Sequence, residues 1–139
     1  MNVHHKKIID IISRYSNENP EQRFAQILFN LGINEFSKID NENFQLRDIY
    51  NDKDDQLLER ISEKLDWYEL QKKIANNIEA YKNEISSMTV NERLYVTNLL
   101  QDFEKYKKER PEYARFILER LKVDANSIDK IMSYTDIAN

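Results

Sequence analysis

Asp55, Glu59, Glu63 and Asp66 stand four, four and three residues apart, the spacing that lines carboxylates along one face of a helix. Acids on helices can gather magnesium or manganese in an all-α enzyme acting on nucleotides, provided a second helix brings a facing acidic cluster. The sequence offers no such second cluster, and Arg60 and Lys64 lie beside the stripe, so a solvated face is the expected reading.

The stretch NDKDDQLLER (51–60) poses the metal question differently. Asp52, Asp54, Gln56 and Glu63 would take the first, third, fifth and twelfth places of a calcium loop. The sixth place needs a sharp turn and falls on Leu57. Leu57, Leu58, Ile61 and Leu65 form a continuous helical stripe through the same residues. Asp52 therefore reads as a helix cap, with Asp54 and Asp55 in the electropositive first turn.

Other chemistries lack their residues. His4 and His5 are the only histidines, adjacent and close to the N-terminus, so neither a zinc-protease motif nor a histidine-activated nucleophile can be built. One glycine cannot make a phosphate-cradling loop. The absence of cysteine removes thiolate catalysis and cysteine-ligated zinc. No catalytic residue, metal or cofactor is expected, and the chain reads as non-enzymatic.

The segment LERLKVDANSIDKIM (118–132) resembles a helix-turn-helix. Leu121, Val123, Asp124, Ile128 and Ile131 fall at the positions that bracket the turn, cap the second helix and face inward. The resemblance implies a DNA-binding regulator in which Ala125, Asn126, Asp129 and Lys130 face the major groove, with Asn126, Lys130, Lys122 and Arg115 as the nucleic-acid contacts. Lys122 stands where a glycine is usual, and Leu118 where a small alanine is common. The electrostatics are unfavourable, since three aspartates and one lysine follow from Asp124 onward.

Charge is segregated along the chain. Asp40 to Asp66 carries nine acidic and four basic side chains, whereas Lys105 to Lys122 carries seven basic and three acidic. Such polarity suits docking to charged partners or head-to-tail association. Tyrosine and arginine are favoured interface anchors, which makes Tyr106, Arg110, Tyr113 and Arg120 the candidates for contacting a protein partner.

The elements that must position these residues are helices. With one glycine and two prolines in 139 residues, tight turns and sheets are poorly served. The periodicity predicts an all-α bundle of six or seven helices in a single domain, 1–139, with a subdivision allowed near 66. Helix one is expected over about 3–16. Helix two is expected to be capped by Asn19, with Pro20 at its first position and Gln22 as capping-box partner, and to be ended by Gly32. Residues 33–50 are expected to be partly irregular, with one short turn of helix, and to pack over the bundle through Phe36, Ile39, Phe44, Leu46 and Ile49.

A boundary at Asp66 precedes a stripe of Trp67, Leu70, Ile74, Ile78, Tyr81, Ile85 and Met88. This stripe has the form of a coiled-coil seam and would serve a homodimer through 67–88, or form one long helix of the bundle, or continue the helix before it. TVNE (89–92) is a capping box opening a helix through Leu94, Val96, Leu99, Leu100, Phe103 and Tyr106. Pro111 ends that helix and opens the next, and a last helix is expected over about 127–136. No apolar run reaches the roughly 20 residues that cross a bilayer. Asp10 interrupts the segment a signal peptide would need, so the chain reads as cytoplasmic.

RFAQILFNLGI followed by LRDIYNDKDDQLLERI is similar to a pattern in short bacterial and prophage-associated proteins, over residues 20–65. It implies a bacterial or phage setting and brings no activity with it. The function expected from all of this is binding of another macromolecule, as an adaptor, inhibitor or regulator. A protein partner comes first and DNA second, with no membrane partner.

Overall fold

The computed structural model describes residues 1–134, and its fold is all-α. Among those residues are seven α-helices, a short 3-10 turn at Ile85–Ser87 and one two-stranded hairpin. The chain forms two compact units, one from Met1 to Glu69 and one beginning at Leu70.

In the first unit α1 spans Val3–Glu18 and α2 spans Phe24–Asn30. Asn2 opens α1 by accepting the N–H of His4 at 2.8 Å, satisfying one donor that the helix itself cannot. Asn19 does not cap α2, as the sequence led one to expect. It closes α1 instead: its buried amide donates to the Tyr15 carbonyl at 2.9 Å, and its N–H to Ser16. Pro20 and Gln22 thus lie in the connecting turn. The start of α2 is fixed by Gln26, whose side chain accepts from the Arg23 N–H at 2.8 Å. The core is built from Tyr15, Ile27, Leu31, Ile33, Ile61 and Leu65, with Ile8, Ile11, Ile12, Leu57 and Tyr68 packed around it. Tyr15 and Tyr68 meet edge to face at 4.9 Å.

The helix α3 runs without a break over Asp54–Glu79, through the boundary expected at Asp66. The buried pair Ile61 and Leu65 is followed after a step of five by Leu70 and Ile74, so the apolar face shifts around the helix there, and Asp66 stands inside the helix rather than at its start. The helix stops at Glu79, however, and residues 80–84 form turns before Ile85–Ser87. The proposed 67–88 seam is therefore not one helix. Leu70, Ile74 and Ile85 on it are buried and not available to a partner copy.

In the second unit α4 spans Val90–Val96, α5 Leu100–Glu109, α6 Pro111–Arg120 and α7 Ala125–Ser133. Thr89 and Glu92 make the expected reciprocal capping box. The helix expected from Leu94 to Tyr106 is broken in two. Asn98 adopts φ 57°, and the Leu99 N–H donates back to the Leu94 carbonyl at 2.9 Å. Thr97 adds to the break by turning its hydroxyl onto the Arg93 carbonyl at 2.6 Å. Ala114, Ile117, Leu118, Leu121 and Ile128 are buried in this unit. The last expected helix is seen to Ser133, while positions 135 and 136 lie outside the described residues.

One local device recurs. Three helices end with a residue in the left-handed region: Gly32 at φ 75°, Asn98 at 57° and Lys122 at 62°. In each, the next residue's N–H reaches back five positions, Ile33 to Leu28, Leu99 to Leu94 and Val123 to Leu118. This bond satisfies a terminal carbonyl and seats an apolar side chain on the last turn.

Candidate functional site

The connection at 33–50 departs most from expectation, and it holds the surface that stands out. The two short strands are β1, Phe36–Lys38, and β2, Phe44–Leu46. They pair antiparallel with Phe36 opposite Leu46, Ser37 opposite Gln45 and Lys38 opposite Phe44. The loop between them turns on Asp40, whose carboxylate accepts the N–H groups of Glu42 and Asn43, both at 2.9 Å. The side-chain bond from Asn43, with that from the Glu42 N–H, holds the Asp40 carboxyl below its usual range.

Alternation along a strand puts Phe36, Lys38, Phe44 and Leu46 on one face and Ser37 and Gln45 on the other. The apolar face is left open to solvent, while on the other face Gln45 is exposed and Ser37 half-buried. Phe36 is 62% exposed, Phe44 60% and Leu46 57%. Phe29 of α2 is 39% exposed and extends the patch, its ring 5.1 Å from that of Phe36. Ile39, at the start of the loop, is exposed as well. Of the five apolar anchors expected in this segment, Ile49 alone packs against the core.

Register in a hairpin is usually set by burying one face. Here the two ends set it. At the open end the Arg47 N–H donates to the Glu35 carbonyl at 2.8 Å. The Arg47 guanidinium binds Glu35 Oε1 at 2.8 Å and grips both oxygens of Asp52, at 2.9 and 2.6 Å. Arg60 of α3 joins from the other side, donating to Asp52 at 3.2 Å and to the Gly32 carbonyl at 2.8 Å. Asp52 is thus a clasp rather than the cap of α3. The Arg47 hydrogen bond pulls its carboxyl down from 3.8 to about 2, and the same pairing raises Arg47. An ionic clasp tying helix, loop and strand keeps the apolar face outward without burying it.

The expected protein-contact residues lie in the second unit. Tyr106 is buried, so it supports the surface from within rather than contacting a partner. Tyr113 packs edge to face on it at 5.2 Å, and the Arg110 guanidinium lies 5.2 Å from the Tyr113 ring centre. These three gather where α5 meets α6. Arg120 is exposed seven residues beyond Tyr113, roughly 10 Å further along α6 by helical rise.

The expected nucleic-acid residues sit on the α6–α7 pair. A four-residue turn, 121–124, joins the helices, with Lys122 in the left-handed conformation a glycine would take there. Asn126 and Lys130 are exposed. Arg115 is engaged by Asp129 at 2.9 Å, which removes a cation from that surface. Asp124 caps α7 by accepting the Ser127 N–H at 3.0 Å and hydroxyl at 2.7 Å. Those bonds, the hydroxyl's first, lower its pKa and hold a negative charge at the end that would enter a groove.

On the acidic stripe, Asp55, Glu59 and Glu63 are exposed along α3. Among the described residues no three histidine, aspartate or glutamate side chains converge as metal ligands would. His5 meets Asp54 alone, at 2.7 Å. No helix among the described residues is long and apolar enough to cross a membrane.

The hairpin was within reach of the sequence. The alternations F-S-K and F-Q-L flank Asp40-Asn41-Glu42-Asn43, side chains that bond their own backbone in turns. Its outward orientation had no such signal, because Arg47, Asp52 and Arg60 meet only in the fold. Comparison with protein-family models, curated proteins and solved structures finds no match to this chain.

Proposed function

We propose that this is a non-enzymatic helical protein that acts by binding another protein, and that the contact is the outward face of the β1–β2 hairpin. The observation that carries this reading is the hairpin's apolar face left open to solvent. The exposed parts of Phe29, Phe36, Phe44 and Leu46 sum to roughly 400 Å², taking about 200 Å² for a whole aromatic side chain. Patches of this size on a single protein are commonly functional. Lys38, at the loop end of the face beside Phe44, and the acids Asp40, Glu42 and Asp48 supply a polar rim.

Replacing Phe36 and Leu46 together by aspartate tests it. The double variant should lose partners that the wild-type chain retains from bacterial extract, while its circular dichroism stays helical. Equal capture by both proteins would refute the assignment. A Tyr113→Ala/Arg120→Ala variant should keep its partner, and loss there would move the contact to α6.

The α6–α7 pair supports a second reading, DNA binding. The feature favouring it is the four-residue turn with its left-handed residue and the inward Leu121, Val123 and Ile128. Asp124 and the Arg115–Asp129 pair weigh against it electrostatically, and so it stands second.

A further inference from the structure

We propose that two copies of this chain pair through the free edge of β2, forming a four-stranded antiparallel sheet about a two-fold axis at Gln45. The hydrogen bonds of the hairpin decide which edges are open. Arg47 N–H bonds the Glu35 carbonyl, and Ile39 N–H bonds the Asn43 carbonyl. In an antiparallel ladder such pairs alternate with non-bonded ones. Ser37 and Gln45 therefore bond inward, and the N–H and C=O groups of Phe36, Lys38, Phe44 and Leu46 point away from the partner strand. A row of unpaired backbone groups is a template for another strand.

The two edges are not equivalent. β1 carries Lys38, a residue type that commonly blunts an edge, and Phe36 is already stacked by Phe29. β2 reads Phe-Gln-Leu, with no charge, glycine or proline. Antiparallel pairing centred on Gln45 sets Phe44 against the second copy's Leu46 and Leu46 against its Phe44. That exchange satisfies all four outward groups of each strand and places two apolar cross-strand pairs on one face. Arg47 meets the neutral Asn43, its charge being held by Glu35 and Asp52. Beyond the strands Glu42 would face Asp48, a like-charged pair that stops the ladder and makes association stronger in salt.

Edge pairing leaves the apolar face uncovered and doubles it, to roughly 800 Å², about the area one partner contributes to a standard interface. The proposal concerns the edge and the docking reading concerns the face, so each can fail without the other.

The chain has no cysteine, which permits a direct test. Across a non-bonded antiparallel pair the two Cα atoms are about 4.5 Å apart, inside the range a disulfide spans. Full-length Gln45→Cys should oxidise to a covalent dimer many-fold faster than Asn76→Cys, an exposed position on α3. Adding Leu46→Pro removes the outward N–H without touching the bonds to β1, and should return the rate to that of the control. Should Leu46→Pro fail to show native circular dichroism, Phe44→Lys replaces it with the same expectation. Equal rates for the two cysteines, or fast oxidation that survives both edge variants, would overturn the proposal. Partner capture by Phe36→Asp alone, a position on β1 and away from the β2 edge, reads the face separately.

Discussion

Lys122 is held in a conformation its side chain disfavours, and replacing it by glycine should stabilise the protein. At φ 62° its Cβ crowds the following carbonyl, at a cost of about 1–2 kcal/mol. The side chain is exposed, so truncation loses little packing. The two bonds that define the turn, Lys122 N–H to Glu119 and Val123 N–H to Leu118, at 3.0 and 3.1 Å, are backbone bonds and survive. Against the relief stands the greater freedom of glycine in the unfolded chain, about 0.4–1 kcal/mol. The net gain is about 0.5–1 kcal/mol, or a rise of about 2–4 °C in Tm. The related helix ends provide a scale. Gly32→Ala should lose a similar amount, since it adds a left-handed non-glycine whose Cβ would lie 3.3 Å from Lys64 Cγ. Asn98→Gly should change little, because asparagine tolerates this region. Urea unfolding of the three variants, followed by circular dichroism at unchanged m-value, gives the order. A Lys122→Gly protein less stable than wild type would show that the lysine side chain contributes something this reasoning omits.

Arg93 donates to the carbonyls of Ser86, Met88, Leu121 and Lys122 at 3.0–3.2 Å, tying the turn before α4 to the end of α6. Arg93→Lys keeps the charge and loses the fork, so it should cost about 2–3 kcal/mol in urea unfolding. A loss below about 0.5 kcal/mol would discount those bonds. Asp52 is depressed in the folded protein, so the stability its clasp contributes is present above the ordinary carboxylate pKa and is lost as pH falls from about 4 toward 2. Protection factors of the hairpin amides, taken relative to the unstructured exchange rate at each pH, should fall over that window, and in Asp52→Asn they should be low and independent of pH; protection unchanged to pH 2 would contradict the clasp. In fluorescence anisotropy with duplex DNA, the negative Asp124 and paired Arg115 lead to weak binding without sequence preference. Tight, sequence-selective binding that falls steeply with salt would promote the second reading.

Helix content and several termini were legible because they depend on neighbours in sequence. The Thr89–Glu92 box, Gly32 and Pro111 act within one turn. The break at Asn98 was hidden because Val96, Leu99, Leu100 and Phe103 keep spacings of three and four across a tight turn, and because Thr97 and Asn98 are only weak signals. The function of Asn19 was misread for a related reason: the same amide can begin one helix or finish another, and Tyr15 decided between them. The hairpin's outward face was illegible on physical grounds. Apolar residues are expected inside, and what holds Phe36, Phe44 and Leu46 out is a clasp of Glu35, Arg47, Asp52 and Arg60, whose members lie 5 to 25 residues apart in the chain.

The most direct test of the docking account places a photo-crosslinking amino acid at Lys38, beside Phe44 on the exposed face, and irradiates the chain in cell extract. A discrete adduct with a second protein is expected, displaced by excess wild-type chain and lost when Phe36→Asp is added. An absence of any discrete adduct, or one indifferent to Phe36→Asp and to the competitor, would contradict the claim that this face is where the protein binds its partner.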